Sequence, residues 1–490
     1  MTHSILIKNM SFQYHSMDKR IFSDVNVSID EHWKLALLGR NGRGKTTFMN
    51  ILTNKLQYRG TIQTPLTFKY FPAFPLQEEN LTVLELLLKE NPNVDRWRID
   101  YELSLIGLPP HISQRKFHQL SGGEQVRVLL VELFLNEDAF PLIDELTNNL
   151  DKEGRNMIGN YLRMKEGFIV ISHDESFLNQ FVDHVLAIEK QSLTLIKGNV
   201  DVWRREKENA DQLAESRNSK LKSEIKRLNE VSGKVNQWGM KRENSTKDAS
   251  ERRLAAKQMK RAKAIKKRTE AMVSEKEGLI DNRERVSQLK MLVKQPEKQV
   301  LYFRDFSILR DGTPLFQPIS IDMYPNDRLF IEGSNGVGKS TLLQFILGVK
   351  YLETVGEYRI HLPRKISILN QKNEQDVDYA SYLQQLTIKE EKQAFWHLLY
   401  QLGIDRHSFT DTSSQHWSAG EQKKVFLAHA LLGENNLFIW DEVTNYLDIF
   451  VIQQLVETIK VYQPTMIAVD HNESYINAIA TKTISLIPYE

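Results

Sequence analysis

Residues 39–46 read GRNGRGKT, and residues 333–340 read GSNGVGKS. The first run follows an apolar, strand-like stretch (LALLG) and precedes a helix-like one (FMNILTNKL). A Gly-x-x-x-x-Gly-Lys-Thr/Ser pattern between a strand and a helix is the setting of a phosphate-binding loop. Gly39, Gly42 and Gly44, and in the second run Gly333, Gly336 and Gly338, let backbone N–H groups turn toward phosphate oxygens. Asn41 and Asn335 lie inside the two turns, and the helix N-terminus adds a favourable dipole. Lys45 and Lys339 supply a point charge for the β- and γ-phosphates. The hydroxyls of Thr46 and Ser340 reach Mg²⁺, with Thr47 and Thr341 next in the chain.

The two loops head two series of motifs in one order. The first continues through LSGGE (Leu120–Glu124), PLIDE ending at Glu145, LTNNLD ending at Asp151 and ISHD (Ile171–Asp174). The second continues through WSAGE (Trp417–Glu421), LFIWDE ending at Glu442, VTNYLD ending at Asp448 and VDHN (Val469–Asn472). Lys45 to Ser121 spans 76 positions and Lys339 to Ser418 spans 79. Ser121 to Glu145 and Ser418 to Glu442 both span 24, and the following steps to His173 and His471 span 28 and 29. Two copies of one domain, 1–198 and 297–490, flank a middle segment, 199–296.

PLIDE and LFIWDE are apolar runs ending in paired acids. A carboxylate at the end of a buried strand is costly unless a cation meets it, so Asp144 and Asp441 are assigned to Mg²⁺. Glu145 and Glu442, next in the chain, orient or deprotonate the attacking water. His173 and His471 each end another apolar run and are placed on the γ-phosphate side.

The SGGE segment makes both copies resemble the ATP-binding cassette (ABC) family, which implies an ATPase with an α/β phosphate-loop fold. In that family two cassettes pack head to tail, each ATP lying between one phosphate loop and the other cassette's signature. The resemblance places Ser121, Gly122 and Gly123 on the ATP held by Lys339. It places Ser418, Ala419 and Gly420 on the ATP held by Lys45. The copies are unequal. Ala73 stands where the family's Mg²⁺-facing glutamine is expected, whereas the second copy keeps Gln371. Leu146 and Asn149 replace a proline and a histidine of the related pattern DEPTNHLD, and a methyl at Ala419 is expected to crowd the γ-phosphate. Tyr14, 25 positions before Gly39, is a candidate to stack on adenine. The second copy offers Ile308 and Leu309 there.

The net charge of +2 hides an asymmetry: residues 200–296 hold 26 Lys/Arg and 15 Asp/Glu, a net of +11, leaving −9 on the rest. A basic middle suggests a polyanionic partner, against the plainer reading of a solvated helix face. Leu221, Ile225, Leu228, Val235 and Trp238 recur at heptad-like spacing. So do Ala262, Ile265, Thr269, Met272, Leu279, Val286, Leu289 and Val293. The pattern predicts an antiparallel α-helical hairpin with a break at 239–250. Trp238, Met240, Lys241, Arg242, Lys260, Arg261, Lys266 and Lys267 are its candidate RNA contacts.

Tandem cassettes with a basic helical linker resemble the ABC-F proteins, which act on ribosomes. The stretches WKLALLGRNGRGKTT, AFPLIDE and VDHVLAIEK are similar to the Lsa-type antibiotic resistance members. That resemblance implies a linker entering the ribosomal exit-tRNA site, against rRNA and tRNA near the exit and peptidyl sites. There it displaces or remodels the site of lincosamides, pleuromutilins and streptogramin A. The 48 positions from Ala73 to Ser121 and 47 from Gln371 to Ser418 leave no room for the extra arm of housekeeping members. A translation factor without a resistance role and the ATPase subunit of a separate transporter are the alternatives. With no cysteine there is no disulfide or thiolate zinc site. No signal peptide, no C-terminal extension and no apolar run of the roughly 20 residues that span a bilayer are expected. The expectation is a cytoplasmic monomer whose two cassettes pair within one chain.

Overall fold

The computed structural model describes residues 4–14, 20–72, 81–136, 139–147, 150–189, 193–243, 260, 264–269, 271–273, 276, 288–349, 352–370, 389–404 and 418–489. One compact unit contains residues 1–201 and 286–490, and a second contains residues 202–285.

Each copy builds its own parallel sheet. In the first the strand order is Thr67–Phe71, Ala139–Asp144, Phe168–Ile171, Lys34–Leu38, His184–Ile188, Leu193–Lys197, only the last being antiparallel to its neighbour. In the second it is Ile366–Leu369, Leu437–Asp441, Met466–Val469, Arg328–Gly333, Lys482–Leu486, all parallel. The central strands are apolar throughout because both faces are covered: Phe168–Ile171 and Met466–Val469 are buried at every position. This puts the phosphate loops, both acid pairs and both histidines at the C-terminal ends of neighbouring strands, where open α/β sheets bind ligands. An antiparallel sheet packs beside each parallel one, with Ser4–Phe12 central in the first copy and Leu301–Arg310 in the second. Ile308, weighed above for adenine, is fully buried in that second core.

The copies are joined across their sheet ends. The N–H of Asn41 donates to Asp448 Oδ2 at 2.9 Å, and the N–H of Asn335 donates to Asp151 Oδ2 at 3.3 Å. Asn41 Nδ2 also donates to the Tyr446 carbonyl at 2.8 Å. Ser176 and Ser474, equivalent residues of the two copies, share a hydrogen bond of 2.5 Å. Asp448 is fully buried, caps the helix Ile449–Tyr462 through the Val451 N–H at 3.0 Å, and meets Lys424 Nζ at 2.9 Å. Burial works against its charge, but Lys424, Lys45 and the Asn41 N–H outweigh it and hold the carboxyl well below the ordinary range.

The helix Val200–Glu243 runs on into the first five residues of the expected break. One glycine costs a helix only about 1 kcal/mol, and here the run of helix formers around Gly239 absorbs it. Trp238, Met240, Lys241 and Arg242 fall within this helix, with their side chains outside the described set, as are Val235, Ala262, Leu279, Arg261 and residues 244–250. Leu221, Ile225 and Leu228 are half-buried, and Lys276 pairs with Glu224, which brings the two arms of the hairpin together. The seam of the second arm differs from expectation. Thr269 is buried, donating to the Ile265 carbonyl at 2.9 Å, while Ile265 and Met272 are exposed. Leu289 belongs to the core of the second copy, and Leu292–Val293 is a short strand there. No described helix is long and apolar enough to cross a membrane.

Replacing Lys424 by Met leaves the Asp448 carboxylate buried without its closest cation, at a cost of about 3 kcal/mol. The expected result is a clear drop in the thermal unfolding midpoint, most of it recovered in K424M/D448N. An unchanged midpoint in K424M refutes this account of the anchor.

Candidate functional site

The loop helices Lys45–Leu52 and Lys339–Ile346 start from glycines in the left-handed region, Gly44 at φ 95° and Gly338 at φ 109°. At Gly44 a Cβ would meet Ile21 Cγ2 at 2.5 Å, so both backbone and packing call for glycine. Lys45 Nζ donates to the Gly39 carbonyl at 2.8 Å and to Asn41 Oδ1 at 3.2 Å; Lys339 Nζ donates to the Gly333 and Ser334 carbonyls at 2.8 and 3.0 Å. Burial lowers both ammonium groups, Lys45 to about 8. Tyr14 shares a hydrogen bond of 3.0 Å with Thr47, beside the first loop.

Thr46 Oγ1 donates to Asp144 Oδ2 at 3.2 Å, and Ser340 Oγ to Asp441 Oδ2 at 3.1 Å. Burial raises both carboxyls. Asp441 Oδ1 is buried with no hydrogen-bond partner, the condition in which a carboxylate oxygen accommodates a cation. A hydroxyl and a carboxylate with hard oxygens fit Mg²⁺, which takes its remaining ligands from water and phosphate. Ser340 and Asp441, and Thr46 and Asp144, would hold it, and it would neutralise phosphate charge. The other expected Mg²⁺ ligand, Gln371, lies outside the described residues, as do its counterpart Ala73 and also Asn149 and Trp417.

Glu145 and Glu442 adopt left-handed backbones, φ 52° and 51°, at the turn leaving the strand. Their N–H groups are held by the Ile171 and Val469 carbonyls at 3.0 and 2.8 Å, so neighbouring strands fix a conformation that side chains ordinarily avoid. Each carboxylate lies 3.6 Å from its own histidine, Glu145 Oε1 from His173 Nε2 and Glu442 Oε1 from His471 Nε2. Glu145 is 34% exposed and Glu442 13%. Burial, then Asp441 and Asp470, raises Glu442 to about 7; burial, then Lys339 and Arg155, lowers His471 to about 3. His471 is thus a neutral imidazole. The Nε2 atoms of both histidines are buried without hydrogen-bond partners.

The signature segments are helix N-termini built as capping boxes. Ser121 Oγ accepts from the Glu124 N–H at 3.3 Å and donates to Glu124 Oε2 at 2.9 Å, and Ser418 does the same with Glu421 at 3.3 and 2.7 Å. The second signature lies against the first phosphate loop: a Cβ on Gly420 would stand 2.3 Å from Asn41 Nδ2 and 2.8 Å from the Tyr446 carbonyl. Ala419 is exposed and a Cβ at its counterpart Gly122 would meet no protein atom within 4 Å, so against the other cassette's protein atoms the crowded position is Gly420.

Several residues went unread in the sequence. Tyr70 donates to Asp144 Oδ2 at 2.7 Å, and burial and Asp144 keep its phenol protonated. It lies three residues before Ala73, where the second copy has Ile368. Lys424 and its counterpart Arg127 sit six residues past the signature serines, a repeat the alignment of the copies reveals. Asp470 accepts from the Thr444 hydroxyl at 2.6 Å and from the His471 N–H at 2.8 Å, where the first copy has Ser172.

The family described as ABC transporter matches residues 22–148 and 316–445, more than half of the chain and once in each copy. The chain belongs to the ABC transporter family. Both matched segments are ABC ATPase domains, which bind ATP, and the protein is an ATPase. A ribosome protection protein of Bacillus subtilis, VmlR, is 26% identical over 97% of this chain and 85% of its own length. The erythromycin resistance ATP-binding protein MsrA of Staphylococcus epidermidis is 26% identical over 92% and 91%. The tandem cassettes and these relatives support the ABC-F resemblance. Among solved structures, one titled "Model of ribosome-bound archaeal Pelota and ABCE1" shares the fold, with a TM-score of 0.61 at 17% identity over 97% of this chain and 76% of that one.

Gly420→Ala pushes a methyl into the contact between the cassettes, an overpacking cost of about 2 kcal/mol. Gly123→Ala meets only Leu150 Cδ2 at 3.5 Å. The expected outcome is a lower melting midpoint for G420A in the absence of nucleotide, with G123A close to the parent. Equal effects would show that the two signatures are equally packed.

Proposed function

We propose that the chain is an ATP-dependent, ribosome-binding ABC-F protein that protects the ribosome from lincosamides, pleuromutilins and streptogramin A. The observation that carries this reading is the pairing of two cassettes within one chain that is interrupted only by a basic helical unit. The ribosome protection and erythromycin resistance for which VmlR and MsrA are named support it. Phosphate contacts are the chemistry for which such a unit is suited, and Lys260, Lys266 and Lys267 are exposed on it. The protein works in the cytoplasm as a monomer, with Mg²⁺ beside each ATP. Glu145 and Glu442 are the bases and His173 and His471 their partners on the γ-phosphate side. Co-sedimentation with ribosomes and drug susceptibility of a sensitive strain expressing the gene test the reading together. Ribosome binding without a rise in resistance would make it a translation factor, and no ribosome binding would sink both.

The Lys339 site carries most of the turnover, because Glu442 sits in drier surroundings than Glu145 and its cassette keeps Gln371. E145Q/E442Q is expected to bind ATP, stay closed and remain on the ribosome. E442Q alone should remove most ribosome-stimulated ATPase activity and E145Q less. A larger loss from E145Q contradicts the assignment.

Neutralising Lys260, Arg261, Lys266 and Lys267 should weaken ribosome binding and flatten its dependence on salt, since fewer counterions are released. ATP binding should stay at the parental level. A salt slope equal to the parent's would mean that this face is only solvated.

A further inference from the structure

The helix that follows Asp151 reaches across to the other cassette with two charged residues. Lys152 Nζ lies 2.8 Å from Glu473 Oε1. Arg155, only 8% exposed, uses its whole guanidinium. Nη1 donates to Asp174 Oδ2 at 2.7 Å and to the His471 carbonyl at 3.0 Å, Nη2 to the Thr147 carbonyl at 3.2 Å, and Nε to the Leu150 carbonyl at 3.2 Å. Three of these acceptors belong to its own cassette, and His471 belongs to the other.

The equivalent positions of the second cassette are Ile449 and Ile452, buried against its own core. Asp174 likewise becomes Asn472, a neutral cap that accepts from the Tyr475 N–H at 3.1 Å. An isoleucine has no donor for the His173 carbonyl. The strap therefore runs one way, from the first cassette's D-loop helix to the second cassette's histidine. The His471 peptide is fixed from both sides, its N–H on Asp470 and its carbonyl on Arg155, with the imidazole 3.6 Å from Glu442.

We propose that Arg155 is a positioning residue for the Lys339 site. It holds His471 in register with Glu442 only while the first cassette's D-loop is docked, so hydrolysis at Lys339 depends on closure of the opposite half. The Lys45 site has no equivalent strap, because Ile452 stands in Arg155's place and cannot donate to the His173 carbonyl. This rests on the turnover asymmetry proposed above, but its test is separable from it.

The test transplants the second cassette's own pair into the first, as R155I/D174N, which removes the buried charges together. It is placed in two backgrounds: E145Q, where Lys339 turns over, and E442Q, where Lys45 does. Single-turnover hydrolysis, KM for ATP and the melting midpoint are read in each. A hydrogen bond from a charged donor contributes about 1.5 kcal/mol, roughly tenfold in rate. The expected result is about a tenfold loss of kcat in the E145Q background, with KM and melting midpoint kept, and a rate within about twofold of its parent in E442Q. Equal losses in both backgrounds, or none in E145Q, overturn the proposal. The two parents compared with each other test the asymmetry itself. If R155I/D174N does not fold, R155K keeps a charge beside Asp174 but gives up the planar fork, and the same split between backgrounds decides the matter.

Discussion

The arrangement depends on a backbone N–H in each phosphate loop finding a carboxylate on the other cassette. A phosphate loop is a nest of N–H groups shaped for anions, and the D-loop aspartate is an anion delivered by the partner. At Asn41 the contact is tight because Asp448 is fully buried with Lys424 behind it. At Asn335 the bond to Asp151 is longer, and Arg127, in the place of Lys424, donates instead to the Gly123 and Gly107 carbonyls. Each carboxylate also caps its own helix, so the cross-cassette contact is rigidly tied to the element behind it.

Around that contact the two composite sites diverge in small, local ways. The first has a phenol on Asp144 and a half-exposed Glu145; the second has Asp470 under His471 and an enclosed Glu442. These differences sit on one shared scaffold of strand ends, so they change the electrostatics around equivalent side chains.

Much of this was legible in the sequence. Two copies of a motif series in register place both loops, both acid pairs and both histidines, because each motif marks the end of an apolar strand. What the spacing could not convey was which neighbours those groups meet across the interface. Arg155 is legible only as a basic residue on a helix, and with Ile452 as its counterpart the repeat offers no signal. The linker seam failed for another reason. Ile265 and Met272 keep the heptad period yet stay exposed, since period alone does not say which of several apolar faces a thin, highly charged helix pair buries.

The bond between Ser176 and Ser474 marks where the two copies meet like with like. On such an axis any residue confronts its own image, so a charge there would repel itself, and a hydroxyl, which both donates and accepts, satisfies both sides. Away from the axis a dimer of identical chains is still restricted to making every contact twice. Covalent fusion lifts it: one half can carry Lys152 and Arg155 while the other carries two isoleucines. A machine with an order of events in its two chambers is open to a tandem chain and closed to a homodimer in the same symmetric pose.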